Sequence, residues 1–147
     1  MTSVITTTLT ARQLRGIQTR TNNAAEMAGV GRIAQLWAQF MQSQPGATEI
    51  LAIYHNYASD VNGDYDLTLV NQAQSDTGPA SLELEAGDYL RFDRSDAQPT
   101  TVIALWQEIW AYFANHREIQ RAYRSDLEHY HANGVSIYIG ILTRQGN

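Results

Sequence analysis

The chain contains no cysteine and no lysine in its 147 residues, and only three prolines. Without cysteine, disulfides and thiolate metal sites are excluded, so a packed core alone must hold the fold. All ten basic residues are arginine, set against fifteen acidic ones, for a formal net charge of −5. Phosphate neutralisation needs a dense basic face, so direct nucleic-acid binding is not expected. No apolar run approaches 18 residues, and no membrane span is expected. The opening Met1-Thr2-Ser3-Val4-Ile5 lacks the basic and apolar regions of a signal peptide. The expected compartment is cytoplasmic.

Apolar residues make up 44% of the chain and charged residues 17%, enough for one core in a single domain spanning 1–147. Threonines and β-branched residues over 4–21 predict extended structure. Ile33, Leu36, Trp37 and Phe40 recur at helical spacing, predicting a helix over 32–43 that Pro45-Gly46 ends. Glu49 to Tyr57 reads as a strand, Asn62-Gly63 as a tight hairpin, and Tyr65 to Asn71 as the returning strand. A polar stretch over 72–79 separates this half from a second. There, alternation over 82–92 predicts strands, and Pro99 suits the first turn of a helix running to Asn115. Residues 117–123 suggest another helical turn. Asp126 to His131 and Val135 to Leu142 predict strands around Asn133-Gly134.

The halves repeat in letters as well as in pattern. Leu36-Trp37-Ala38-Gln39-Phe40 corresponds to Ile109-Trp110-Ala111-Tyr112-Phe113. Leu51-Ala52-Ile53-Tyr54-His55 corresponds to Leu127-Glu128-His129-Tyr130-His131. The expected fold is therefore α+β, two pseudo-symmetric βαββ repeats, about 1–73 and about 80–147. One helix cannot cover a sheet alone, so the halves should share a core.

Glu128 is the most informative residue. It sits between apolar neighbours where the first repeat has Ala52, and it shares a strand face with Tyr130, as Ala52 does with Tyr54. Facing inward, it would be a buried carboxylate that needs a partner, and a ligand cation over aromatic rings would supply one. Facing an edge, it would be solvated, or paired with Arg121 or Arg124. Trp106 and Trp110 lie beside the main apolar stripe of the second helix, either as groove walls or as filling for a broad core. Eight tyrosines, several on strands, suit either a pocket or a sheet. Other motifs fail. Asp60 to Asn71 begins like a calcium loop but has Tyr65 where glycine is required and Asn71 where glutamate is. His129 and His131 lack a third metal ligand, Gly29-Val30-Gly31 lacks the third glycine of a dinucleotide loop, and no serine nucleophile motif occurs. Neither a metal nor a cofactor is expected.

Several segments resemble the GyrI-like effector-binding family. In the first half they are Arg20-Thr21-Asn22-Asn23, Leu36-Trp37-x-x-Phe40 and Tyr54-x-x-Tyr57-x-x-Asp60. In the second they are Gly87-Asp88-Tyr89-Leu90-Arg91-Phe92, Trp106-x-x-Ile109-Trp110-x-x-Phe113 and Tyr123-x-x-Asp126-Leu127-Glu128-x-Tyr130. The resemblance extends over nearly the whole chain and narrows to integron-cassette effector-binding proteins and stand-alone relatives of AraC-type regulator domains. It implies a central groove for amphipathic, often cationic, drug-like compounds. Glu128 matches the family's pocket glutamate, and Trp37, Tyr54, Tyr89, Trp106 and Trp110 match its aromatic walls. Leu127 replaces a phenylalanine common in relatives, which would reshape the groove floor. No helix-turn-helix is read ahead of the repeats, so a stand-alone binding module is expected, serving transcription regulation or drug sequestration. Two alternatives stay open. One is hydrolysis of small electrophiles using Glu128. The other is a protein-interaction role with gyrase or a separate regulator.

Overall fold

A computed structural model describes residues 4–142. Its strands are β1 (Val4–Leu9), β2 (Arg12–Thr21), β3 (Ile50–His55), β4 (Tyr65–Asn71), β5 (Ala80–Leu84), β6 (Gly87–Arg94), β7 (Arg121–His131) and β8 (Gly134–Ile141). The helices are α1 (Asn23–Met27), α2 (Ile33–Ser43) and α3 (Pro99–Asn115). The strands form one antiparallel sheet in the order β1-β6-β8-β7-β3-β4-β2-β5. Two βαββ units, β2-α2-β3-β4 and β6-α3-β7-β8, meet where β3 pairs with β7.

The leading strand of each half is exchanged. β1 pairs with β6 of the second unit, and β5 pairs with β2 of the first. Each unit's outer edge is therefore capped by a strand from the other half of the chain.

Both long helices pack on one face of the sheet. Leu36 and Phe40 of α2 cluster with Ile50, Ala52, Leu67 and Leu69. Leu105 and Ile109 of α3 cluster with Leu90, Phe92, Ile137 and Ile139. Burying each of these leucine, isoleucine and phenylalanine side chains contributes roughly 1.5–3 kcal/mol. Among the described residues, no helix packs on the other face. There Leu14, Leu82 and Leu84 gather with Leu51, Ile53, Tyr89 and Leu127. Since β5 and β6 stand near opposite ends of the strand order, the sheet must curl over its own back to bring them together.

Three local expectations change. Asn62-Gly63 lies within the longer connection 56–64 rather than at a two-residue hairpin. Asn22 caps a short helix ahead of the expected one, its Oδ1 accepting from Ala25 N at 2.8 Å. Residues 121–123 are strand, because Arg121 pairs with Ile141 across a bulge that ends at Asp126.

Gly16 lies where β2 passes from pairing β5 to pairing β4, and a Cβ there would come within 2.0 Å of the Leu69 carbonyl oxygen. Backbone cannot yield as a side-chain tip can. Gly16→Ala is expected to lower stability by about 2 kcal/mol or more in urea denaturation. A loss under about 0.5 kcal/mol would show that the strands can part at no cost.

Candidate functional site

β3 and β7 run antiparallel at the seam between the units, with Ala52 opposite Glu128 and Ile50 opposite Tyr130. The repeat partners Ala52 and Glu128 are thus also cross-strand partners, close to the pseudo-two-fold axis. The small side chain at 52 leaves room for the carboxylate beside it, and a second glutamate would have set like charges opposite each other. Ala52 sits in the core under α2, so this face of the seam looks toward the helices.

Glu128 is 3% exposed. Its carboxylate accepts hydrogen bonds from the Tyr130 hydroxyl at 2.6 Å, the Trp106 indole Nε1 at 2.7 Å and the Tyr54 hydroxyl at 2.9 Å. None of these donors is charged. The expected alternative of an Arg121 partner fails, because Arg121 is bound to Asp126 with Nη2 2.8 Å from Oδ2. Arg124 is exposed. Burial raises the Glu128 pKa, while the bonds from Tyr130, Trp106 and Tyr54 lower it. Burial, with the adjacent Glu128 charge, pushes the Tyr54 and Tyr130 hydroxyls upward, which keeps them protonated as donors.

The rings interlock across the seam. Tyr130, from the second unit, stands edge-on to Trp37 of α2 with centroids 5.3 Å apart. Tyr54, from the first unit, stands edge-on to Trp106 of α3 at 5.7 Å. Each tyrosine therefore packs on the indole of the other unit's helix, in a geometry that aromatic quadrupoles favour.

Between α2 and α3 runs a groove with two lobes. One, of about 540 Å³, holds Glu128, Tyr130, Trp37, Tyr54 and Trp106 in its wall. The other, of about 650 Å³, shares Tyr54 and Trp106 and continues past Trp110 toward Met27, Tyr57 and Arg121. Met27, Ile103 and Trp110 line this lobe while 85%, 59% and 43% exposed, so apolar surface rims an open mouth.

Of the expected wall residues, Trp37, Tyr54, Trp106 and Trp110 line the groove. Tyr89 does not. It is buried in the back core, where its hydroxyl donates to the Glu85 carbonyl at 2.6 Å, and burial pushes its pKa up to about 12. The reason is strand parity, since Leu90 and Phe92 take the helix face and Tyr89 must point the other way. Leu127 likewise lies in the back core and forms no part of the groove floor. Tyr130, Arg121 and Tyr57 are additions. Tyr130 was available from its shared parity with Glu128. The other two depend on the bulge and on the 56–64 connection. Among the described residues, no group of His, Cys, Asp or Glu could hold a metal, and no helix is long and apolar enough to cross a membrane.

Residues 7–141 match the model of the Cass2 family, described as integron-associated effector binding protein. This chain belongs to that family. It is 30% identical to YobU of Bacillus subtilis (strain 168), a protein named for transcriptional regulation, over 92% of this chain and 95% of that one. The integron cassette protein VCH_CASS2 from the mobile metagenome of Vibrio cholerae superposes with a TM-score of 0.82 at 30% identity, covering 95% of each chain. SAV2435, solved bound to tetraphenylphosphonium, superposes with a TM-score of 0.73 over 95% of this Cass2-family chain and 94% of its own. At 16% identity that last likeness is one of fold. The α+β architecture of paired βαββ units is thus shared by effector-binding proteins.

The raised carboxylate pKa has a direct consequence for stability. Unfolding returns Glu128 to an ordinary pKa near ~4.3, so its ionisation weakens the fold progressively as pH rises from there through the raised folded value. Glu128→Gln carries no such ionisation. Its stability relative to the parent is expected to improve as pH rises from about 4.5 to 8, read as urea midpoints. A difference independent of pH would mean that the carboxylate is not held in a desolvated site.

Proposed function

We propose that this protein binds compact, amphipathic cations in the groove between α2 and α3, with Glu128 as the counter-charge. The observation that carries the reading is a buried carboxylate whose three hydrogen-bond donors are all neutral. Its negative charge is solvated by the donors but not cancelled. Deep in an aromatic wall, such a charge attracts a cation far more strongly than one in water would. The rings of Trp37, Tyr54, Trp106 and Tyr130 add cation–π attraction of roughly 0.5–2 kcal/mol each when desolvated.

The hydrogen-bond pattern also favours one kind of cation. Two indoles and two tyrosines already surround the carboxylate, and three of those four rings donate to it. Only Oε1 keeps an acceptor site open, so a primary ammonium could satisfy at most one of its three donors there. A quaternary ammonium, a phosphonium or a delocalised dye cation donates nothing and can rest on the rings with the donors intact. That a neighbour of the same fold was solved with tetraphenylphosphonium supports this class. A role in transcription regulation, as sensor for a separate regulator, is the setting suggested by the name of YobU.

Titration with tetraphenylphosphonium should quench tryptophan fluorescence through Trp106, Trp37 and Trp110. Glu128→Gln should weaken binding at least about tenfold, equivalent to ~1.4 kcal/mol. In the parent, affinity should fall as pH drops through the raised Glu128 pKa, because protonation removes the counter-charge. The variant's weaker affinity should stay flat over the same range. Equal binding of neutral triphenylphosphine oxide, or an unweakened variant, would sink the reading.

A further inference from the structure

The Glu128 hollow accounts for one lobe of the groove, and the larger lobe has a different polar group in its wall. Beyond Tyr54 and Trp106, where Glu128 no longer lines the cavity, the wall includes Arg121. Its side chain is only 9% exposed, and Asp126 beneath it is fully buried. Arg121 Nη2 donates to Asp126 Oδ2 at 2.8 Å, and the guanidinium carbon lies 4.4 Å from the centroid of the Tyr123 ring. The remaining Asp126 contacts are the Tyr57 hydroxyl on Oδ2 and Gly140 N on Oδ1 at 2.9 Å. Among the described residues, Arg121 Nε, itself shut off from solvent, has no acceptor. An unmet donor on a buried cation is costly, and native structures seldom leave one without a partner.

The backbone is bent to put Arg121 there. The register of β7 against β8 shifts between Arg121 and Asp126, and Tyr123 within the bulge has φ 52°. A tyrosine in the left-handed region is strained, and bulges of this kind re-aim side chains beside functional sites. The first repeat has nothing equivalent, since β3 begins only at Ile50, the cross-strand partner of Tyr130. The arginine is thus a feature of one lobe alone.

We propose that the natural ligand is bifunctional. Its cationic end lies on the rings at Glu128, which rests on the reading above, and a neutral acceptor such as a carbonyl oxygen lies against the Arg121 guanidinium. Charge selects the neutral acceptor over a carboxylate. Arg121 and Asp126 already cancel, and Glu26 and Asp60 add two more carboxylates to the same wall. The planar guanidinium fork then supplies direction and the apolar lobe supplies area.

The test uses alkyl-triphenylphosphonium probes with three to eight methylenes, each ending in a primary amide and each paired with a hydrocarbon isostere. At one chain length or more the amide should bind the parent at least about tenfold tighter than its isostere, the low end for one hydrogen bond to a charged group. Arg121→Lys keeps the charge facing Asp126 but removes the fork, and should abolish that preference. The favoured amide should also shift the Arg121 Nε–H resonance of the parent while its isostere does not, which decides the matter even if the variant fails to fold. Parity at every length, a preference that survives Arg121→Lys, or an unmoved resonance would overturn the proposal while leaving the Glu128 reading intact. Failure of every probe to bind would overturn both.

Discussion

A carboxylate taken out of water inside an aromatic wall dictates much of what surrounds it. Glu128 must be solvated by the protein itself, and Tyr54, Trp106 and Tyr130 do this without neutralising it. Each donor must then be held in place, because a misplaced hydroxyl would leave a buried charge short of a bond. Trp37 holds Tyr130, and Trp106 both holds Tyr54 and donates in its own right. The donors come from three elements, β3, α3 and β7, so the cluster also fastens the two units to one another.

The repeat architecture explains how such a cluster can be built. Near the pseudo-two-fold axis, equivalent residues of the two units face each other across β3 and β7. The tyrosines at 54 and 130 obey the symmetry and converge on one point. Position 52 and position 128 break it, with alanine on one side giving space to glutamate on the other. A symmetric scaffold thereby carries a single charge. The larger lobe breaks the symmetry a second time, through the β7 bulge that brings Arg121 and Asp126 into play. Charge at one end and a directional donor at the other give the apolar groove a polarity along its length.

The open mouth fits this arrangement. α1 and the 56–64 connection brace one another through Asn23 Nδ2 on the Val61 carbonyl at 3.0 Å and Asn22 Nδ2 on Asp64 at 3.0 Å. Both segments contribute to the larger lobe, and Met27 stands out from α1 at its rim. Methionine is flexible and polarizable, which suits contact with ligands of varied shape.

Periodicity and composition were enough to read the two βαββ repeats, the course of α2 and α3, and the Ala52/Glu128 equivalence. These are local properties, set by which side chains recur every two or every three to four residues. Strand parity also separates the faces, since Tyr130 shares one with Glu128, whereas Tyr89 and Leu127 belong to the opposite one. What no local pattern could decide is which strand lies beside which. The exchange of β1 and β5, the burial of Tyr89 under a curled sheet, the choice of Asp126 over Glu128 as the partner of Arg121, and the bulge at Tyr123 arise from contacts between distant segments. Sequence alone thus determined that an acidic residue shares a strand face with Tyr130 where the first repeat has alanine. Only the tertiary structure decided that, among the described residues, neutral donors and no arginine bond to it, because that depends on which elements close over the seam.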